Sequence, residues 1–309
     1  MFHANGCSGN LRWAGRVTVQ PLRPPPCFPA ISRLREGMER IIQGKRDVVD
    51  LALTTVLAGG HLLIQDVPGV GKTTLAQAIA QGIGGVFSRI QFTADLLPGD
   101  ITGVQILNQQ EREFEFRQGP VFANVVLGDE INRAPPRTQS ALLEAMEEGS
   151  VTVDGESYVL SSPFMVIATQ NPFDFEGTYP LPESQLDRFL MRIQMGYPDR
   201  ASEMSIMRTG GNERPKLAPC WTADELSECV DAVSKVRVSD DVESYMMDLV
   251  RASRADHRLK RGISPRGAQA LYRACQAYAL VCGRDFVIPD DVWKLAVPVM
   301  AHRVVPRTA

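Results

Sequence analysis

The chain has 309 residues, of which 44% are hydrophobic and 22% are charged, a composition typical of a folded protein with a sizeable core. Its formal net charge of −3 gives no overall attraction to nucleic acid or to anionic membranes, so neither is an expected partner. No apolar run approaches the roughly 20 residues that cross a bilayer, so we expect no membrane insertion. The six cysteines form no C-x-x-C pair, which favours reduced thiols in a cytoplasmic protein.

The first 30 residues differ from the rest of the chain. They contain the proline cluster 24–26 and show no sustained helical or strand period, so we predict a disordered extension over residues 1–30. A functional tail and a start codon placed too far upstream remain alternatives. Apolar residues then recur at helical spacing through LREGMERIIQGKRDVVDLALTTVLAGG, where the glycines end the helical pattern.

A strand, a glycine-rich loop and a helix follow in the order that a phosphate-binding loop requires. HLLIQ is a short apolar strand, QDVPGVGKTT (65–74) is the loop, and TTLAQAIAQGIG is a helical run. Gly69 and Gly71 allow the backbone to curl, so that N–H groups converge on phosphate oxygens at the positive end of the helix. Lys72 can neutralise the outer phosphates, and the Thr73 hydroxyl can ligate magnesium.

The loop departs from the common pattern G-x-x-x-x-G-K-[ST] at Asp66, which stands where the first glycine is usual. This position lies at the end of a strand, where another residue can adopt the required dihedral angles. We therefore predict a competent nucleotide-binding loop. Its residues are Asp66, Val67, Pro68, Gly69, Val70, Gly71, Lys72, Thr73 and Thr74.

A second apolar strand, in FANVVLGDEINRA (122–134), ends in the adjacent carboxylates Asp129 and Glu130. A strand tip beside a phosphate-binding loop needs one carboxylate near magnesium and a neighbour able to polarise water. The sequence therefore predicts that Thr73 and Asp129 hold magnesium and that Glu130 acts on the attacking water.

A third strand, in PFMVIATQNP (163–172), ends in the polar residues Thr169, Gln170 and Asn171. The tips of parallel strands gather at one edge of an open α/β sheet. Asn171 at that edge could hold the attacking water against the γ-phosphate. A simple turn before Pro172 is the structural alternative.

Two segments between these elements have the pattern of β-hairpins. Residues 95–120 alternate apolar and polar positions around NQQERE, and residues 150–160 centre on Asp154–Gly155, a strong hairpin signal. These hairpins could serve packing or subunit contact, or they could engage the substrate directly, and the sequence leaves both alternatives open. After GYPDR the chain is largely amphipathic helix. The fold class that we predict is α/β, with a parallel-sheet core (31–198) carrying inserted β-hairpins and a small all-α lid domain (199–309).

The run from QFTADLLPGDITG through GDEINRAPPRTQSALLEAMEEGSVTVDG to ATQNPFDFEGTYPLPESQLDRF strongly resembles the MoxR family of AAA+ ATPases, and the resemblance covers residues 31–309. It implies an ATP hydrolase with ATP and Mg²⁺ as cofactors. The matched positions are Lys72 and Thr73 of Walker A, Asp129 and Glu130 of Walker B, and Asn171 of sensor 1.

Two arginines are assigned through the same resemblance. In LPESQLDRF, Arg188 matches the arginine finger that such proteins insert into a neighbour's ATP site. This implies a ring-shaped homo-oligomer, which we expect to be a hexamer. In GISPRGAQALYRA, Arg266 matches sensor 2 and is expected to reach the γ-phosphate of its own subunit.

The resemblance implies a chaperone-like ATPase that remodels or matures a protein partner, expected to contain a von Willebrand factor A domain. Two other readings remain open. One is a nucleotide-gated assembly scaffold in which ATP binding controls a partner with little turnover. The other is a motor subunit like that of magnesium chelatase or like the nucleic-acid motors of the same broad branch, although the chain supplies no accessory domain for either.

Overall fold

The computed structural model describes residues 25–110, 112–172, 177–209 and 217–307. Its strands, in chain order, are β1 (Leu62–Gln65), β2 (Phe87–Gln91), β3 (Gly103–Asn108), β4 (Glu113–Gln118), β5 (Val125–Asp129), β6 (Ser150–Val153), β7 (Glu156–Val159), β8 (Met165–Gln170), β9 (Met191–Ile193), β10 (Leu259–Arg261) and β11 (Val305–Pro306). Its helices are α1 (Phe28–Ile41), α2 (Arg46–Leu57), α3 (Lys72–Gly82), α4 (Pro98–Thr102), α5 (Pro136–Glu148), α6 (Glu183–Leu186), α7 (Arg200–Thr209), α8 (Ala223–Val233), α9 (Asp240–Ala255), α10 (Pro265–Val281) and α11 (Pro289–Met300).

The central sheet has five strands in the order β2-β5-β8-β1-β9, and every neighbouring pair is parallel. Because side chains alternate across a strand, β1 divides its residues between two hydrophobic cores. Leu62 and Ile64 face the core that holds α1, α2 and α3, whereas Leu63 faces the core that holds α5. A parallel sheet covered on both faces accounts for the apolar runs that predicted its strands.

The first described helix begins inside the segment that we predicted to be a disordered extension. Helix α1 starts at Phe28, and Ala30 is already buried in the core. Trp221 helps to fix the start of α1, because its indole N–H donates to the Ala30 carbonyl over 2.6 Å. Residues 1–24 of the predicted extension lie outside the described residues.

Both predicted hairpins are confirmed. Strands β3 and β4 pair antiparallel, as do β6 and β7. The second hairpin turns at Asp154 and Gly155, which adopt positive φ values of 51° and 88°. The two hairpins also contact each other, because the rings of Phe116 and Tyr158 stack with centroids 4.0 Å apart.

The C-terminal helices confirm the predicted helical region, and the fold class is the predicted one. The region predicted to be all α also contains one short antiparallel strand pair, β10 with β11. Helix α10 packs against α2 and α11, and its apolar face belongs to the same hydrophobic core as α1, α2 and α3. The boundary that we placed between residues 198 and 199 stays a prediction. In the part of the chain that the structure describes, no helix is long and apolar enough to span a bilayer.

Candidate active site

A cavity of about 380 Å³ lies at the edge of the sheet where β1, β2, β5 and β8 end. The phosphate-binding loop forms one wall, and the strand tips form the others. The lining residues are Pro68, Gly69, Gly71, Lys72, Thr73, Thr74, Arg89, Gln91, Asp129, Glu130 and Asn171. The structure therefore brings together the three separate segments that the sequence pattern singled out.

The loop has the backbone geometry that its glycines predict. Gly69 and Gly71 adopt positive φ values of 84° and 98°, and helix α3 begins directly after them at Lys72. A side chain other than glycine is strained in this region of φ. The resulting turn presents the N-terminus of α3 to the cavity, which is a favourable place for phosphate.

Lys72 extends along the loop and donates from Nζ to the Asp66 carbonyl oxygen over 2.6 Å. Burial lowers the pKa of this ammonium group, while the nearby charges of Asp129, Asp66 and Glu130 raise it. Burial is the larger effect, so the pKa of Lys72 is lowered overall, and the three carboxylates oppose part of this shift by favouring the charged form. A cation held here can pair with the outer phosphates of a nucleotide.

Asp66 has a structural role that its position in the loop did not reveal. Its Oδ2 accepts hydrogen bonds from the backbone N–H groups of Met195 and Gly196 over 2.7 and 2.6 Å, and its Oδ1 accepts from Val67 N–H over 2.8 Å. Asp66 does not adopt a positive φ. Glycine is therefore not needed at this position, and the carboxylate fastens the loop to the segment that follows β9.

Lys45 holds the same segment from the other side. Its Nζ donates to the carbonyl oxygens of Gly196 and Tyr197 over 2.6 and 2.7 Å. The segment that connects β9 to α7 is thus bound by one carboxylate through its N–H groups and by one ammonium through its carbonyls. The position of the phosphate-binding loop is coupled to this connection.

We predict that Asp66→Gly, which restores the common loop pattern, lowers the stability of the folded protein. Three backbone N–H groups, those of Val67, Met195 and Gly196, lose their charged acceptor, and each such loss costs about 1–3 kcal/mol. The expected result is a lower free energy of unfolding in a urea titration and weaker ATP binding. Asp66→Asn is the matched control, because it keeps one acceptor oxygen and the side-chain shape. Equal or higher stability of Asp66→Gly would show that these contacts are unimportant.

The two carboxylates at the end of β5 are tied to the neighbouring strands. The Thr169 hydroxyl donates to Asp129 Oδ1 over 2.6 Å and accepts from the Glu130 N–H over 2.9 Å. Glu130 adopts a left-handed conformation with φ 57° and ψ 50°, which is uncommon outside glycine and is found preferentially at functional sites. Thr169 belongs to the strand that leads to Asn171, so β8 and the carboxylate pair form one connected unit.

Sequence reasoning missed two residues of the cavity, Arg89 and Gln91. The Arg89 Nη2 lies 2.5 Å from Asp129 Oδ2, and the Gln91 side-chain amide donates to Glu130 Oε2 over 3.1 Å. Both lie on β2, which pairs in parallel with β5. The available signal was FSRIQ, a short strand with the polar residues Arg89 and Gln91 at alternate positions, immediately before FTADLLPGD.

Arg188 and Arg266 do not line the cavity but lie together elsewhere. Arg188 Nη2 is 2.7 Å from Glu147 Oε2, and Arg266 Nη1 is 3.0 Å from Glu147 Oε1. The expectation that Arg266 reaches the phosphate of its own subunit does not agree with this arrangement. The physical reason is that α10, which carries Arg266, is packed against α2 through the shared core.

The loop that carries Arg188 is anchored by Arg303, which sequence reasoning also missed. The Arg303 side chain is 3% exposed, and its Nε lies 2.7 Å from Asp187 Oδ1. It also donates to the carbonyl oxygens of Phe189 and Leu190. The C-terminal end of the chain thus fixes the backbone on both sides of Arg188.

The donor set of the cavity fits a nucleoside triphosphate with magnesium. Backbone N–H groups at a helix N-terminus and a lysine suit phosphate oxygens. A threonine hydroxyl and a carboxylate are oxygen ligands of the type that Mg²⁺ prefers, since it is bound through a few protein oxygens together with phosphates. A parallel sheet, a glycine loop and two carboxylates at a strand tip define a P-loop nucleotide-hydrolase site.

Comparison with known proteins gives the family. Residues 61–191 match the model of the ATPase family associated with various cellular activities (AAA), and residues 251–309 match the AAA lid domain. Chaperone MoxR1 of Mycobacterium tuberculosis is 42% identical over 277 residues, which cover 87% of this chain and 74% of that protein. The chain belongs to the MoxR family of AAA+ ATPases.

Two further relatives extend this similarity. The uncharacterised protein YeaC of Bacillus subtilis is 49% identical over 278 residues, which cover 89% of this chain and 87% of that protein. The crystal structure of a proposed ATPase from Cytophaga hutchinsonii has a TM-score of 0.84 at 37% identity and covers 91% of this chain and 89% of that one. The similarity therefore extends over both the core and the C-terminal helices.

Proposed function

We propose that this MoxR-family ATPase couples Mg²⁺-dependent hydrolysis of the β–γ bond of ATP to the remodelling or maturation of a protein partner. The observation that supports this most is the single cavity shared by Lys72, Asp129 and Glu130. In the proposal, the loop N–H groups and Lys72 hold the phosphates, while Thr73 and Asp129 hold the metal. When bound, Mg²⁺ supplies charge neutralisation at the β- and γ-phosphate oxygens.

Glu130 is the proposed base, which takes a proton from the attacking water, and Asn171 is proposed to orient that water. The Glu130 carboxylate is held from two sides, because Gln91 donates to it and Arg133 Nε lies 3.0 Å from its Oε2. Such contacts fix the direction of a carboxylate. A carboxylate held in a fixed direction towards the cavity is what the role of general base requires.

Both arginines are proposed to act on the ATP of a neighbouring subunit in a ring, which we expect to be a hexamer. Arg188 and Arg266 lie together on Glu147 and outside the cavity of their own chain. A second copy that places its cavity opposite this pair would receive two guanidinium groups at the γ-phosphate. Charge developing in phosphoryl transfer is stabilised effectively by such groups.

The partner is proposed to be a protein with a von Willebrand factor A domain. One MoxR-family relative of this chain carries the name chaperone, and the two hairpins offer a route from the site to a partner. Tyr158 lies on the hairpin that precedes β8 and stacks on Phe116 of the other hairpin. Val159, beside it, is 81% exposed. A movement of β8 on hydrolysis could therefore reach both hairpins.

We predict that the double variant Tyr158→Ser, Val159→Ser loses stimulation of turnover by the partner while it keeps basal ATPase activity and ring formation. The change removes the stacking of Tyr158 on Phe116 and the exposed apolar side chain of Val159, and neither residue lines the cavity. Phosphate release with and without the partner, together with pull-downs in ATP and ADP, measures this. Thr152→Ser on β6 is the control and should behave as the wild type.

Unchanged stimulation in the double variant would assign the hairpin to packing. Glu130→Gln separates the coupled enzyme from a nucleotide-gated scaffold, because it is designed to bind ATP without hydrolysing it. If Glu130→Gln supported partner maturation as well as the wild type does, binding alone would be sufficient. Loss of maturation in Glu130→Gln agrees with the proposed coupling.

A further inference from the structure

Glu147 occupies an unusual position between two arginines that come from distant parts of the chain. It lies near the end of α5, whereas Arg188 follows α6 and Arg266 belongs to α10. Each carboxylate oxygen serves one arginine, Oε2 at 2.7 Å from Arg188 and Oε1 at 3.0 Å from Arg266. Arg188 also donates from Nη1 to the Leu143 carbonyl of α5.

This arrangement places two guanidinium groups close together, and their like charges repel each other. A carboxylate between them offsets the repulsion and fixes the direction of each planar group through a charged hydrogen bond. Arginine side chains otherwise retain many rotamers, and ordering them costs conformational entropy. With Glu147 in place, the cluster carries one net positive charge, and both arginines have defined positions before any partner arrives.

Stability alone does not account for this cluster. The side chains of Glu147 and Arg266 are 35% and 51% exposed, and ion pairs at such positions contribute little to folding. The same partial exposure leaves the arginines accessible from outside the subunit. The cluster is therefore better suited to a task at a surface than to holding the fold together.

We propose that Glu147 is the positioning residue that aligns Arg188 and Arg266 as one cationic unit for the ATP of the neighbouring subunit. This inference rests on the proposed function, in which the two arginines act between subunits. Glu147 does not contact the nucleotide itself. Its effect passes through the two arginines, so it should alter the turnover of the adjacent site and leave ATP binding at its own site unchanged.

The first test compares Glu147→Gln with Glu148→Gln, an equal change of charge at the next, exposed position of α5. Glu147→Gln is expected to lower kcat about tenfold or more, since loss of an arginine finger can cost 10³–10⁵ and misalignment costs part of that. KM for ATP and the assembled mass should stay within about twofold of the wild type, as expected for a group whose contribution is confined to the transition state. Glu148→Gln should keep the wild-type kcat.

Glu147→Asp keeps the negative charge on a side chain that is shorter by one methylene group. Its kcat should therefore lie between those of the wild type and Glu147→Gln. This variant also decides the question if Glu147→Gln fails to assemble. A wild-type kcat in either Glu147 variant would overturn the proposal.

The second test uses mixed rings. Glu147→Gln subunits have an intact Glu130, and Glu130→Gln subunits have correctly held arginines, so mixing the two should restore part of the turnover at interfaces that combine both. Mixing Glu147→Gln with Arg188→Ala should restore nothing, because both lack the same side of the interface. A carboxylate needed only for local structure would not give this pattern of rescue.

The reference mixture, Arg188→Ala with Glu130→Gln, separates two failures. If this reference shows no rescue, the proposed action of the arginines between subunits is wrong, and the role of Glu147 is wrong with it. If the reference is rescued but Glu147→Gln with Glu130→Gln is not, the intersubunit arginine stands and only the role of Glu147 is overturned.

Discussion

Replacing Lys72 with alanine is expected to abolish tight ATP binding, whereas replacing Glu130 with glutamine is expected to retain binding and remove most hydrolysis. The two residues share one cavity but differ in the step that each serves. Lys72 provides charge to the phosphates in the bound state. Glu130 is assigned to the water, whose deprotonation occurs only during the reaction, and loss of a general base typically costs 10²–10⁴ in rate.

Glutamine is a suitable replacement at Glu130 because it keeps the size of the side chain and its carbonyl oxygen. The left-handed backbone at Glu130 and the N–H contact to Thr169 do not depend on the carboxylate. Titration of a fluorescent ATP analogue measures binding, and phosphate release measures turnover. Glu113→Gln, on the exposed strand β4, is the control for loss of one acidic group. Wild-type binding by Lys72→Ala would refute the assignment of the loop.

The strands that end at the cavity could be predicted from the sequence alone, because their burial leaves a clear pattern in it. Strands β1, β5 and β8 are buried on both faces, so they are continuous apolar runs, and each ends in polar residues at the same edge of the sheet. Backbone rules then define the loop, since Gly69 and Gly71 occupy positive φ. Local patterns of this type do not depend on the rest of the chain.

The contacts of Asp66 could not be predicted from the same local patterns. Asp66 binds backbone groups at residues 195 and 196, about 130 positions away, and backbone N–H groups carry no signature in the sequence. In the common loop pattern G-x-x-x-x-G-K-[ST], Asp66 is only a substitution for the first glycine. In the structure it is a hydrogen-bond acceptor with a defined task.

The placement of Arg266 shows a second limit of sequence reasoning. The resemblance assigned a residue type to a lid helix, but the direction in which that helix faces is decided by the packing of its apolar side. Leu271 and Ala274 of α10 belong to the core that α1 and α2 share, and this brings Arg266 to Glu147. The spacing of apolar residues along one helix shows which face is buried, but it does not show which distant element that face packs against.

Arg188→Ala is expected to lower turnover by about 10³ or more, because an arginine supplied by a neighbour can contribute 10³–10⁵ to phosphoryl transfer. ATP affinity should change little, since Arg188 lies outside the cavity of its own chain. Arg188→Lys should recover only part of the rate, because an ammonium cannot form two parallel hydrogen bonds to a phosphate. Arg237→Ala, at an exposed arginine paired with Asp285 on the C-terminal helical region, is the control and should retain wild-type turnover.

The dependence of turnover on protein concentration tests the same assignment without a substitution. If each active site is completed by a second subunit, the activity per wild-type subunit must fall when dilution separates the ring, and it must recover on concentration. The residual activity of Arg188→Ala should depend far less on dilution, because its sites no longer gain this arginine on assembly. Activity per wild-type subunit that stays constant down to isolated monomers would place all catalytic groups within one chain, and the interface role of Arg188 would then be wrong.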